Sequence, residues 1–405
     1  MDVTLYPFQE KCVEFHLAHH YTLNCCEMGL GKTLVALEAA KRTALKTLVV
    51  GPAFLEGVWK RESEVIGIEV DFISYSVLHR APPSTLMQYG FVIAEEVHYL
   101  KTPTTKRTHA FYDLIKGVKP PYFVGLTGTP IKNRLPDFWT LLAFCNFNPQ
   151  DTNGLRMTGE YKSYHRFARH FCHMTELNIS NRRIPRYGAV KDVMIPELKA
   201  LLKDKMIRFT VEQVLNDLPE ITRQAIPIPL SIPGDASLLE IFKEYTSGRK
   251  ADISAKVRSA YLKAPSTAMY CKELSEGGSG PLLIFTDHIE SGAYIAKDLG
   301  AEFISGSTPS KVRIEIAERF QRGDMPYLVA TIGSMSVGHT LTAAKHVIFN
   351  DLSWVPADNL QAEKRIHRIG QKSVCFAHYV ESTPTDSYIR KTLFTKMDTV
   401  NKVLQ

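Results

Sequence analysis

With 405 residues, 44% of them hydrophobic and 22% charged, the chain has the composition of a globular protein and a length that suits two domains rather than one core. A formal net charge of +7 and a pI near 8.9 admit an anionic partner such as nucleic acid without specifying one. Seven cysteines, with no C-x-x-C pair and with Cys25 and Cys26 adjacent, exclude a disulfide framework and a zinc ribbon and point to a reducing, cytoplasmic setting.

In chain order, the start MDVTLYPFQEK has no basic segment followed by an apolar one, so no targeting segment is expected, and no stretch reaches membrane-spanning length without charges. Residues 1–145 alternate short apolar runs, YTLNC, KTLVV, DFISY, FVIA and YFVGL, with amphipathic stretches such as TLVALEAAKR. That alternation predicts a parallel sheet wrapped by helices. Between the first strand and the helix after it stands CCEMGLGKT, residues 25–33. Gly29 and Gly31 let backbone amides turn toward a phosphate, the helix start adds partial positive charge, Lys32 reaches the outer phosphates, and Thr33 ligates magnesium. The strict G-x-x-x-x-G-K-[ST] pattern fails at its first position, Cys26.

The apolar run FVI ends in AEEVH, residues 94–98, where two adjacent carboxylates would be costly if the strand were only structural. Beside a phosphate loop they have a use. Glu95 would support the metal, Glu96 would orient or deprotonate the attacking water, and His98 would couple the nucleotide state to the rest of the domain.

Residues 146–280 are polar and helical in pattern, with YKSYHRFARHF, IPELKALLKDKMIRFTVEQVL and SLLEIFKEYTS as the clearest amphipathic pieces. They divide into a helical insertion with a brace (146–235) and a linker with a short helical insertion (236–280). IPIPLSIPG (226–234) suits an extended strand and linker, and EGGSG (276–280) a turn. His165, His170, Cys172 and His173 invite a zinc reading, but without a second ligand pair at finger spacing they are expected to be ordinary helix residues. From 281 to 405 a second alternating series, PLLIF, AEFIS, YLVAT, HVIFN and FAHYV, predicts a second α/β domain. Near its end QAEKRIHRIGQ (361–371) sets Arg365 and Arg368 three apart, on one face if helical, where guanidinium forks would grip a triphosphate.

Together these pieces resemble the Swi/Snf family of superfamily-two DNA translocases, over almost the whole chain. The fold this implies is α/β: two RecA-like lobes, parallel sheets flanked by helices, with a mainly helical insertion between them. LYPFQEKCVEF (5–15) is similar to the family's adenine-recognising element, with Gln9 as the base contact. GPAFLEGVWKRE, ISYS, AEEVHYLK, LTGTPIKNRLPDFWTLLAF, LLIFTDH, ISGST and VATIGSMSVGHTLTAAKHVIFNDLSWVP follow in the family's order. ELKALL and MIRFTVEQVLNDLP (206–219) resemble the annealing-helicase branch and the family's brace, and the length leaves room only for a compact engine of the bacterial or phage sort.

The resemblance implies an ATP- and magnesium-dependent translocase on double-stranded DNA. Leu30, Leu34 and Gly338 join Gln9, Gly29, Gly31, Lys32 and Thr33 around ATP, and Thr127 and Gln361 join His98 in coupling. Arg365 and Arg368 complete catalysis with Lys32 and Glu96, while Pro52, Lys60, Ser74, Thr129, Thr286, Ser305 and Ser334 grip DNA through phosphates. The family's engines work as monomers. Two departures stand out: the family writes aspartate at Glu95 and usually at Cys26. The alternatives are a strand-separating DNA or RNA helicase, for which no segment reads as a wedge, and an ATP-gated DNA clamp whose hydrolysis Glu95 impairs. NRRIPRYGAVK (181–191) gathers Arg182, Arg183, Arg186 and Lys191 around Tyr187, and reads equally as an auxiliary DNA grip or a solvated basic loop.

Overall fold

The computed structural model describes residues 4–131, 134–147, 161, 163–179, 182–214, 218–228, 253–335 and 340–404. They fall into two compact units, Met1–Asn216 with Lys396–Gln405, and Asp217–Thr395.

In the first unit the predicted apolar runs become β1 (Tyr21–Asn24), β2 (Thr47–Gly51), β3 (Val70–Ser74), β4 (Phe91–Ala94) and β5 (Tyr122–Leu126). A hairpin of β6 (Cys172–Ile179) and β7 (Arg182–Val190) stands apart, and the two-residue β8 (Met206–Ile207) joins the main sheet. The order is β3-β2-β4-β5-β1-β8 and every pair is parallel. Helices cover both faces, so β2 and β4 are buried at every residue and read as continuous apolar runs rather than alternating ones. Phe111, Phe123, Phe138 and Phe144 fill the space between sheet and helices.

The second unit repeats the plan with β9 (Ile221–Pro227), β10 (Leu282–Thr286), β11 (Glu302–Ile304), β12 (Tyr327–Thr331), β13 (His346–Phe349) and β14 (Cys375–Glu381). Their order is β11-β12-β10-β13-β14-β9, again parallel throughout.

The segment 146–280 is not an insertion of its own but is shared between the units. Phe167, Phe171, Tyr187, Val190, Leu198 and Leu202 bury in the first unit's core, whereas β9 and the helix Ile253–Glu276 belong to the second. The end of the last helix, Pro384–Leu404, groups with the first unit because Val403 and Leu404 join that core. Among its described residues the segment also carries strands: Cys172 and His173 lie in β6, not in a helix, and NRRIPRYGAVK is largely β7. Both strands of that hairpin are largely exposed, so no apolar stripe announced them. SLLEIFKEYTS lies outside the described residues.

Lys263 of the helix Ile253–Glu276 is a buried cation, its side chain 1% exposed, held by Asp386 Oδ1 at 2.7 Å and the Val380 carbonyl at 3.2 Å. Asp386 Oδ2 also accepts the backbone N–H groups of Ser382 and Thr383, closing the start of the last helix. Asp386→Ala would strand the ammonium and free both N–H groups, so a loss of about 3–5 kcal/mol is expected in denaturant unfolding. A loss below about 1 kcal/mol would show that water reaches Lys263.

Two buried histidines set an acid limit. His16 bonds Thr22 Oγ1 at 2.7 Å and lies 3.2 Å from Asn24 Nδ2, and burial pulls its pKa down to about 3. His378 is pulled down to about 4 by burial and by neighbouring His346. Both folded values lie below the ordinary 6.5, so the unfolded chain takes up protons first. Stability from these groups is complete above pH 6.5 and is lost as pH falls toward 4, at up to about 1.4 kcal/mol per pH unit for each. Thermal unfolding should therefore shift down between pH 7 and 5; a flat profile, or one unchanged by His16→Gln, would contradict this.

Candidate functional site

At the carboxyl end of β1 the chain enters the glycine loop, and residues from far downstream shape it. Leu23, Cys25 and Glu27 donate their N–H groups to the carbonyls of Lys205, Ile207 and Phe209 at 2.8–2.9 Å, so the ladder with β8 runs on into the loop. Arg208 donates to the Cys25 carbonyl at 3.1 Å and lies 3.7 Å from Glu27, whose other oxygen accepts the Val211 N–H. Gly29 and Gly31 have φ of +83° and +74°, the left-handed region that only glycine enters freely. Gly31 caps the helix Lys32–Thr43, placing Thr33 and Leu34 in its first turn. Lys32 Nζ folds back onto the carbonyls of Cys26 and Glu27 at 2.9 and 3.1 Å.

The helix Pro7–His19 closes over this loop. Gln9, nearly fully buried, donates to the carbonyl of buried Leu30 at 3.1 Å and accepts the Tyr6 N–H at 3.0 Å. A Cβ on Gly31 would lie 2.5 Å from its Nε2. Cys12 and Cys26 touch sulfur to sulfur at 3.7 Å, and the contact from Cys12 leads the effects that lower the Cys26 pKa.

β5 lies beside β1 in the sheet and β4 beside β5, all parallel, so their carboxyl ends open on the same edge, where parallel sheets bind ligands. Glu95 follows β4 with its Oε2 sealed from solvent and without a hydrogen-bond partner among the described residues. Burial, then the neighbouring Glu96, pushes its pKa up to about 8, against the pull of Lys32. A sealed acidic oxygen beside a second carboxylate is a donor set that suits a hard divalent cation. Glu96 itself is held in the left-handed region at φ 49°, a conformation that costs a non-glycine residue energy and aims its side chain. Its Oε2 lies 3.1 Å from His98 Nδ1, which lies 3.1 Å from Thr127 Oγ1, which accepts the Thr129 N–H at 3.1 Å. This chain of contacts joins the end of β4 to the loop after β5.

Of the residues expected at DNA, all but Lys60 follow one rule of position. Pro52, Ser74 and Thr129 stand at or just past the carboxyl ends of β2, β3 and β5, and Thr286, Ser305 and Ser334 at or just past those of β10, β11 and β12. Lys60 is exposed on the helix Glu56–Ile66. Position does not make every side chain available, and two hydroxyls require correction. Thr286 is fully buried, donating to Asp351 Oδ1 at 2.7 Å beside Ser291, so its hydroxyl fixes the end of β10 instead of facing a ligand. Ser334 likewise donates inward, to the Thr331 carbonyl at 2.8 Å.

Arg313, which no motif singled out, donates to the carbonyls of Ser334 at 2.8 Å, Thr308 at 3.1 Å and Ser305 at 3.4 Å, tying two of these turns together. Burial holds its guanidinium below its ordinary value.

Gln361 is buried in the helix Pro356–Glu363. That helix stops at Glu363, so the condition that put Arg365 and Arg368 on one helical face is not met. Both lie in turns, where Leu341 donates to the Arg365 carbonyl at 2.9 Å and Gly370 takes φ +100°. Glu363 anchors the segment, bonded to Arg223 of β9 at 2.8 Å and to the Tyr379 hydroxyl. His367 lies 2.6 Å from the Pro219 carbonyl. Arg223, Arg208, Arg313 and Asp351 were all missed from sequence, since each has a partner 21 or more positions away that leaves no local pattern. Gly338 lies outside the described residues.

Two family models match the chain: an SNF2-related domain over residues 66–263 and a helicase conserved C-terminal domain over 266–370. Similar curated proteins include the SWI/SNF-related matrix-associated actin-dependent regulator of chromatin subfamily A-like protein 1 of Xenopus tropicalis, 27% identical over 95% of this chain and 43% of that protein. The DNA annealing helicase and endonuclease ZRANB3 of Mus musculus is 27% identical over 94% of this chain and 39% of its own length. The putative ATP-dependent helicase/translocase YwqA of Bacillus subtilis (strain 168) is 26% identical over 89% and 44%. The chain thus spans less than half the length of these relatives. A structure of the Sulfolobus solfataricus SWI2/SNF2 ATPase core in complex with dsDNA aligns with a TM-score of 0.44 at 22% identity, covering 100% of this chain and 95% of that one. With the two family models adjoining along most of its length and in the order of the two units, the chain belongs to the SNF2-related family of superfamily-two, helicase-like ATPases.

Proposed function

We propose that this protein is an ATP-driven translocase on double-stranded DNA, indifferent to base sequence. The observation that carries the reading is the convergence at one sheet edge of Lys32, the Glu95–Glu96 pair and the Glu96–His98–Thr127–Thr129 chain. A phosphate-binding lysine, a metal-supporting carboxylate, a carboxylate aimed by backbone strain and a relay to the next loop are the parts that nucleotide hydrolysis coupled to movement requires. Gln9 uses one donor and one acceptor of its amide on Leu30 and Tyr6, which leaves one of each for the N6 and N7 edge of adenine. Thr33 and Glu95 are the residues that would hold the magnesium ion arriving with ATP, which supplies neutralisation of phosphate charge. Arg365 and Arg368 serve charge developing on the triphosphate. Names of relatives that include an annealing helicase and a helicase/translocase favour DNA as the track.

The test is phosphate release from ATP with magnesium, comparing no nucleic acid, duplex DNA, single strands and RNA, with Glu95→Asp alongside. Strong stimulation by duplex is expected. A silent chain beside an active Glu95→Asp variant would replace the motor with an ATP-gated clamp, and preference for RNA would sink the DNA assignment.

A further inference from the structure

The β6–β7 hairpin is the part of the first unit that nucleotide chemistry leaves unexplained. Its foot is fixed: Cys172, Tyr187 and Val190 are buried in the core, and Tyr187 Oη lies 2.9 Å from His165 Nδ1. Lys191 Nζ caps the helix Tyr164–Phe171 by donating to the carbonyls of Arg169 and His170 at 2.8 and 3.0 Å. β7 carries one more residue than β6 between the pairs Cys172↔Val190 and Met174↔Tyr187, a bulge that twists the arm away from its base. Beyond Tyr187 the cover ends. Thr175, Glu176, Arg183, Ile184 and Arg186 are all exposed, the Arg183 side chain by 79%. No third strand joins the pair among the described residues, and a two-stranded ribbon open on both faces gains little stability by itself.

Side chains alternate along a strand, so Arg183 and Arg186, three residues apart in the regular part of β7, point to opposite faces. Cross-strand partners share a face. Arg183 therefore lies on the face of Met174 and Tyr187, and Arg186 on the face of Ile184, so each face offers arginine and an exposed apolar side chain. Against these stands one exposed acid on the arm, Glu176, 3.7 Å from Arg183. Arg166 and Arg169, exposed on the helix at the foot, extend the positive charge. An acidic partner lying on a single face would leave one of the two arginines unused. Two polyanions passing on either side would use both.

We propose that the hairpin seats at a DNA branch point, where a duplex divides, with each face meeting the phosphate backbone of one diverging strand. The inference rests on the reading of DNA as the track and assigns to the arm a preference for forked over linear duplex. It differs from the motor's grip, which the carboxyl edges of the sheets carry.

The experiment compares a labelled forked DNA with a linear duplex of equal length, by fluorescence anisotropy without nucleotide and by phosphate release with ATP. The full chain should bind the fork more tightly. The Arg183→Glu/Arg186→Glu variant should lose about tenfold on the fork, with its salt slope reduced by about two, and keep linear-duplex affinity and stimulation. Fork affinity unchanged in the variant would overturn the proposal, as would equal losses on both DNAs, which would make the arm a general grip. The two readings fail separately. If no nucleic acid stimulates phosphate release but fork binding still depends on the two arginines, the motor falls and the arm stands; if the motor responds to duplex and fork alike in both proteins, the arm falls alone.

Discussion

Glu96→Gln should leave ATP bound and hydrolysis nearly abolished, by about 10²–10⁴-fold, the range expected when a positioned acid or base is removed. The substitution keeps the size of the side chain and leaves the strained backbone at φ 49° to hold it in place. What it removes is the charge facing His98 Nδ1 and the proton-accepting oxygen. Rapid-quench phosphate release and a fluorescent ATP analogue separate the two effects. Hydrolysis within about threefold of the parent would show that Glu96 does not serve the water, and a matched loss of binding would show that its charge supports the site as a whole. Because Glu96 also helps to raise the pKa of Glu95, the variant should ionise Glu95 at lower pH.

The second large effect is expected in the loop itself. Gly31→Val forces a branched side chain into the left-handed region at φ +74° and drives its Cβ against Gln9 Nε2, which already lies 2.5 Å from where that atom would be. The backbone cost of about 1–2 kcal/mol adds to about 1–3 kcal/mol if Gln9 gives up its buried bond to Leu30. ATP affinity should fall about thirtyfold or more, in a protein whose second unit still unfolds as before. If Gln9→Ala costs clearly less affinity in the Gly31→Val background than in the parent, the collision is the cause; if it costs as much in both, backbone strain is. Normal affinity in Gly31→Val would mean that the loop adopts another shape when nucleotide binds.

Much of this was legible in the sequence, for reasons that can be named. The ten apolar runs expected as strands all became strands, the inner ones such as β2, β4 and β10 because parallel strands covered on both faces are apolar throughout. The glycine loop was legible because left-handed turns demand glycine, and Gly29 and Gly31 meet that demand. Arg208, Arg313 and Arg223 were not legible, because they act on carbonyls or a carboxylate brought near only by folding. The hairpin escaped for a different reason: an arm exposed on both faces has no buried stripe to set a period. Arg365 and Arg368 were expected on one helical face, but the helix before them ends at Glu363, where a backbone bond from Leu341 takes over.

The dependence of the glycine loop on β8 has a consequence for the newborn chain. The Cys25 carbonyl waits for Arg208, 183 residues further along. At ordinary synthesis rates that gap is an interval of about 10–40 s during which β1 has been made but its edge has no strand to pair with. An uncovered edge invites pairing with a neighbouring chain, and the wait places that hazard on the ribosome rather than in the finished protein. A fragment cut before Lys205 would keep every letter of CCEMGLGKT and lose the strand that shapes it, so possession of the motif and possession of the site are separable.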